Sequence, residues 1–169
     1  MNSPISSLVF ILNGPNLNML GKRQTTIYGR ATLADIEAVC HRHAATLDLG
    51  VDFRQSNHEG ELVSWIQEAG TKAVGIIVNA GAYTHTSVAI LDALLIVTQP
   101  IIEIHLSNIQ AREVFRHHSY IAPVAVGCIA GFGVHGYQLA LTAMADLLAR
   151  DAPSAAMQVA GVAVTSRPV

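Results

Sequence analysis

One repeated pattern limits what this chain can fold into. Leu8 to Asn13 is a continuous apolar run that closes on a polar residue and is followed by Gly14-Pro15. Val74 to Asn79 and Ile101 to Leu106 repeat the pattern, and Val124 to Ile129 is a further candidate. Val51 to Arg54 is shorter and ambiguous. A strand with one wet face alternates apolar and polar residues. A continuous run instead predicts a strand covered on both faces, as in a parallel sheet flanked by helices.

Helical periodicity lies between these runs. Leu33, Ile36, Val39, Cys40 and Leu47 recur near the helical period after Thr32, a plausible N-cap, with Gly50 as the expected stop. Leu62, Trp65, Ile66 and Ala69 form a second stripe that Gly70 should end. Val88 to Val97 is apolar on more than one side, which predicts cover from a partner subunit as well as from the sheet. Gly136 to Ala149 is a fourth helix with Leu139, Ala143, Met144 and Leu147 turned inward. A short helical turn is expected over Ala111 to Arg116. Strand and helix therefore alternate about five times. The economical solution is an α/β, flavodoxin-like three-layer sandwich with a five-stranded parallel sheet.

The 169 residues suit one domain. Residues 1–149 are expected to form it, with 150–169, rich in Ala, Val, Gly and Pro, as a flexible extension. Twelve acidic against ten basic residues leave no basic stripe for nucleic acid. No run reaches the roughly 20 apolar residues of a membrane helix, and Leu8 to Leu12 lacks the flanks of a signal segment. The two cysteines, Cys40 and Cys128, form no CxxC pair, so a cytoplasmic location is the expectation.

Polar residues gather where the strands should end: Asn13 and Asn16, then Asn79 and His85, then His105, Ser107 and Asn108. In open parallel sheets the ligand crevice lies outside the carboxyl ends of the strands. The excess of Asn and His over charged residues predicts positioned hydrogen bonds to a hydroxylated small molecule.

Distinctive stations run along residues 8 to 149. They are Asn13-Gly14-Pro15-Asn16-Leu17-Asn18 with Leu20-Gly21, then Arg23 and Ile27-Tyr28-Gly29, then Asn79 to Ser87. Glu103 to Asn108, Ala111-Arg112-Glu113 with Phe115-Arg116, His118-Ser119-Tyr120, and Gly131-Phe132-Gly133 with Gly136-Tyr137 continue the series. In this order and spacing they resemble the type II 3-dehydroquinate dehydratases. The resemblance implies dehydration of 3-dehydroquinate without metal or organic cofactor. It also implies a flavodoxin-like fold and a homo-oligomer, a dodecamer built as a tetramer of trimers.

That reaction removes a proton beside a ketone and expels a β-hydroxyl as water. It needs a base, an enolate stabiliser and an acid. By resemblance Tyr28 is the base. A free phenol has a pKa near 10 and needs a nearby guanidinium to work at neutral pH. Arg23 leads for that task and Arg112 follows. Asn16 is implied as the enolate stabiliser, His105 as the acid and Glu103 as the group that holds His105. Asn79, His85 and Arg116 match contacts to ring hydroxyls. Leu106 and Ser107 match the carboxylate site. Gly81 is expected to permit close backbone approach to the substrate, Ala82 joins the substrate-binding residues with a methyl where some relatives have glycine, and Asp92 matches a residue that reaches a neighbouring subunit's site.

Some positions depart from the family pattern. Gln24-Thr25-Thr26 follows Arg23 where the lid typically reads Glu-Pro, and Leu91 stands where an arginine usually precedes Asp92. Three rival readings compete. A flavin- or phosphate-binding module would want Ser and Thr in the first loop, yet Asn13 to Lys22 contains neither. A catalytically dead scaffold would tolerate loss of Tyr28 or His105. Zinc binding lacks HExxH spacing, and His117-His118 has no cysteine near it in sequence.

Overall fold

The computed structural model describes residues 7–22 and 31–151. Five strands are present there: β1 (Leu8–Asn13), β2 (Gly50–Gln55), β3 (Gly75–Asn79), β4 (Ile101–His105) and β5 (Gly127–Ala130). The helices are α1 (Leu33–Ala45), α2 (Glu59–Lys72), α3 (Val88–Ile96) and α4 (His135–Asp151). All pairings are parallel, in the order β2-β1-β3-β4-β5. This is the flavodoxin-like order, whose chain reversal falls between β1 and β3. The expected fold class is therefore the observed one.

The continuous apolar runs are explained by two cores. All residues of β3 and β4 are buried, as are five of the six in β1. Successive side chains on a strand point to opposite faces. Val9 and Ile11 therefore meet α1 and α4 through Ile36, Cys40, Tyr137, Leu141 and Met144. Phe10 and Leu12 meet α2 and α3 through Leu62, Ile66, Ile90 and Leu94. Full burial of a side chain such as Phe10, Ile11 or Leu12 contributes about 1.5–3 kcal/mol. The ambiguous segment 51–54 lies in edge strand β2, which is only half-buried and so lacks the strong apolar signal.

Several element ends differ from expectation for local reasons. Thr32 does cap α1: its hydroxyl accepts from the Asp35 N–H, and the Asp35 carboxylate accepts from the Thr32 N–H. The helix stops at Ala45 rather than at Gly50, because Asp48 takes the left-handed turn at φ 55°. Helix α2 runs through Gly70 to Lys72. A Cβ on Gly70 would lie 3.0 Å from Val97 Cγ1, so this glycine permits close packing rather than a stop. Its carbonyl accepts from Gln99 Nε2 at 2.9 Å.

In α4 the fully buried positions are Tyr137, Ala140, Leu141 and Met144. Ala143 and Leu147 flank them, and Leu139 is only half-buried. The helix includes Arg150 and Asp151, so the first two residues of the expected extension are helical; 152–169 lie outside the described residues. The stretch Ile121–Ala125 turns before β5, and Val124 is apolar because that turn packs on the second core. Two 3-10 turns, Ile109–Ala111 and Val114–Arg116, replace the single turn expected after Asn108.

Candidate active site

The loops that follow β1, β3 and β4 meet at the carboxyl edge of the sheet. They enclose a cleft of about 200 Å³. Asn16 lines it from the first loop, Gly81, Ala82 and His85 from the second, and Leu106 and Ser107 from the third. Asn79, His105, Arg112 and Arg116 complete the expected residues on its wall. Pro15, Leu17 and Ile109 also line it and had no role in the sequence reading. Glu103 stands behind His105. Asp92 is exposed on α3 and lines no part of this cleft. Tyr28 and Arg23 lie outside the described residues.

Backbone crossings shape the first wall. The Gly14 N–H donates to Asn79 O at 2.7 Å, and a Cβ on Gly14 would sit 2.3 Å from Ala80 O. Only glycine permits that approach. Asn16 adopts φ 67°, a conformation Asn tolerates better than most residues. Its N–H donates to Asn57 Oδ1 at 2.8 Å. Gln55 Nε2 donates to the same oxygen at 3.1 Å, and Tyr83 Oη donates to Asn57 O at 2.8 Å. Asn57 thus ties the Asn16 loop to β2 and to the second loop. No motif marks it in the sequence.

A buried polar network lies beneath the cleft. Tyr137 Oη donates to Asn13 Oδ1 at 2.6 Å and accepts from Asn79 Nδ2 at 2.9 Å. Asn13 Nδ2 donates to Arg54 O at 3.0 Å, and Asn79 Oδ1 accepts from the Gly81 N–H at 3.3 Å. Register pairs Asn13 with Asn79 at the strand ends. Both side chains are buried. Burial pushes the Tyr137 phenol well above its usual range. Asn79 therefore reaches the cleft wall with its amide already oriented from below.

Two buried titratable groups stand at the end of β4. Glu103 and His105 sit two residues apart on one face of the strand and are both buried. His105 Nε2 lies 2.8 Å from Glu103 Oε1, and Ser119 Oγ donates to that oxygen at 2.8 Å. A carboxylate accepts, so Nε2 carries the proton of this bond and Nδ1 is the nitrogen left for transfer. Ser119 also accepts from the N–H groups of Ile121 and Ala122, at 3.0 and 2.9 Å. The turn that follows Ser119 is thereby fixed on Glu103. Ser119 stood in a matching triplet of the sequence, but nothing there linked it to Glu103.

The His85 ring lies nearly parallel to the His105 ring, with centroids 6.3 Å apart. His85 Nδ1 lies 2.7 Å from His118 O, which can only accept, so Nδ1 donates. Burial holds the His85 pKa below its ordinary value, partly opposed by that bond. In the neutral ring Nε2 is then the acceptor nitrogen. Arg116 Nε donates to Glu113 Oε2 at 2.8 Å, and Arg112 Nε lies 3.6 Å from the same oxygen. Together these features define an α/β protein of the doubly wound kind, with a cleft at the carboxyl edge of its sheet lined by asparagine, histidine and arginine side chains.

Comparison with known proteins narrows that class. Residues 7–145 match the family described as dehydroquinase class II. The 3-dehydroquinate dehydratase of Brucella canis is 59% identical over 143 residues, which cover 85% of this chain and 91% of that protein. The type II dehydroquinase of Propionibacterium acnes superposes with a TM-score of 0.81 at 42% identity, covering 85% of this chain and 99% of that one. The type II dehydroquinase of Butyrivibrio crossotus gives 0.80 at 41% identity, covering 82% and 97%. This chain belongs to the type II dehydroquinase family.

Proposed function

We propose that this protein is a hydro-lyase that interconverts 3-dehydroquinate with 3-dehydroshikimate and water. The buried Glu103–His105 pair, with its ring on the cleft wall, is the observation that carries the acid–base reading. In this mechanism the Tyr28 phenolate takes the proton beside the substrate ketone. The bonding pair moves into the ring as an enolate, and Asn16 stabilises the oxygen charge through a held water. The enolate collapses, the carbon–oxygen bond of the β-hydroxyl breaks, and His105 Nδ1 supplies the proton that makes it water. The Tyr28 proton then returns to His105 through solvent, closing the cycle.

Glu103 supports the imidazolium form of His105 by accepting from Nε2–H throughout. Neutral His85 accepts from a ring hydroxyl, while Asn79 and Arg116 fix others. Leu106 and Ser107 take the carboxylate through backbone N–H groups and the Ser107 hydroxyl. Arg23 favours the phenolate form of Tyr28, and Arg112 is the second candidate for that task. No metal or organic cofactor takes part in any of these steps.

The working form is a dodecamer built as a tetramer of trimers. Its support is the outer face of α3, where Val88, Leu95 and Ile96 are 51%, 63% and 70% exposed around Asp92. In a trimer Asp92 points to a neighbour's arginines. A cytoplasmic location agrees with two free cysteines and with the lack, among the described residues, of any helix long and apolar enough to cross a membrane. The flavin- or phosphate-binding reading has no support from the family relationship.

The direct test is 3-dehydroquinate turnover followed at the enone absorbance of the product. The wild type should form the enone with or without a chelator. Tyr28→Phe should lower turnover roughly 10²- to 10⁴-fold, the usual worth of a positioned base. A wild type that forms no enone, or a Tyr28→Phe variant with full turnover, overturns the mechanism.

A further inference from the structure

Strand β5 lies at the sheet edge and pairs with β4 so that Cys128 is opposite Glu103. Residues paired across a ladder project from the same face. Consequently the thiol of Cys128, the Glu103 carboxylate and the His105 imidazole each present a ligand atom, all within 4.8 Å of one another. Residues 103 and 128 are far apart in sequence, which is why spacing rules do not reveal this cluster.

A second observation points to a ligand. Glu103 is fully buried, and its Oε1 already accepts from His105 and Ser119. Its Oε2 is buried with no hydrogen-bond partner among the described residues. A buried anionic oxygen without a donor is costly unless a cation or proton satisfies it. Cys128 is exposed, so an ion can enter from the sheet edge without crossing the substrate cleft.

Imidazole nitrogen, thiolate sulfur and carboxylate oxygen are the donor set of a borderline-soft divalent ion. Three protein ligands with a fourth position left to solvent match the open tetrahedral pattern of zinc. Bonds of about 2.0–2.3 Å place tetrahedral ligands roughly 3.3–3.8 Å apart, so the present span must close by about 1 Å. A χ1 change of Cys128 on an edge strand can supply that movement.

We propose that Glu103, His105 and Cys128 form an inhibitory site for a borderline-soft divalent cation, with Zn²⁺ the best match. On binding, the thiol proton leaves to solvent and a sulfur–metal bond forms. The His105 Nε2 proton is displaced and reappears on Nδ1, so one proton is released per ion. The coordinated ring can no longer cycle between imidazole and imidazolium, and the proton donor for the leaving hydroxyl is lost. The inhibition rests on the role given to His105 above; the binding site does not.

Full-length protein stripped with a chelator tests both halves. Co²⁺ titration should give a near-ultraviolet thiolate-to-metal band in the wild type, reversed by Zn²⁺. Cys128→Val should lack the band and bind Co²⁺ roughly 10- to 100-fold more weakly, at least the loss seen when a supporting group of a metal site is removed. In the enone assay Zn²⁺ should inhibit the wild type, and chelator should restore it. Cys128→Val should keep wild-type turnover without that sensitivity. The site is refuted by a wild type with no thiolate band, or by equal metal affinity or equal inhibition in the two proteins. A band with undiminished turnover overturns the inhibitory half and counts against His105 as the acid. A wild type that binds Co²⁺ with the band yet never forms the enone fails the proposed reaction and leaves the site standing.

Discussion

Replacing Tyr137 by Phe isolates the buried network beneath the cleft. The ring stays in place against Phe53 and the first core, so no cavity opens. What is lost is one hydroxyl with two partners. Asn13 Oδ1 loses its 2.6 Å donor and stays buried, a cost of about 1–3 kcal/mol. Asn79 Nδ2 loses its 2.9 Å acceptor, which adds about 0.5–1.5 kcal/mol. Allowing for overlap within one network, the variant should be about 1.5–4 kcal/mol less stable. Urea unfolding at fixed protomer concentration should show a midpoint about 1–2 M lower at unchanged slope.

A control separates this network from hydroxyl loss in general. Tyr83 Oη donates to the carbonyl of Asn57 near the surface, so Tyr83→Phe should cost less than about 1 kcal/mol. The pH dependence adds a second check. Burial raises the folded-state pKa of Tyr137 above its unfolded value. Above pH ~10 the unfolded chain therefore ionises first, and wild-type stability falls by up to about 1.4 kcal/mol per pH unit from this group. Phe carries no such dependence, so the gap between wild type and variant must narrow above pH ~10. A gap below about 0.5 kcal/mol at neutral pH, or one that widens in alkali, refutes the reasoning.

Three further outcomes are expected. Arg23→Ala should move the rising limb of kcat/KM to higher pH, because phenolate loses its cationic partner, and Arg23→Lys should restore it only in part; an unmoved limb rejects Arg23 as the controlling charge. Ser119→Ala removes the 2.8 Å donor to Glu103 and should lower kcat about tenfold with an altered pH profile, which Ser119→Thr restores. If only stability changes, Ser119 merely caps its turn. Light scattering of the wild type at low micromolar concentration should give a mass near twelve subunits, and Asp92→Ala should impair turnover more than folding; a fully active monomer sinks both claims.

Much of the fold follows from the sequence because burial on both faces of a sheet demands continuous apolar runs. Leu8–Asn13, Val74–Asn79 and Ile101–Leu106 carry that demand, and they locate β1, β3 and β4. The edge strands are harder to see for the same reason. β2 is half-buried along its length, and the apolar signal before β5 belongs partly to a buried turn. Gly50 and Gly70 misled as helix stops because a glycine signals conformational or steric freedom without saying which. Asp48 made the turn in one case, and Val97 needed the space in the other.

The cleft was foreseeable in composition, since Asn and His collect at the strand ends and a shared motif order selects among them. Partnerships across the sheet were not. Ser119 with Glu103, Tyr137 with Asn13 and Asn79, and Cys128 with Glu103 and His105 join residues from separate elements. Local sequence fixes which face a side chain takes, because the strand period is two and the helical period is near 3.6. Which residue stands opposite depends on strand order and register, and these emerge only when the whole sheet packs between its helices.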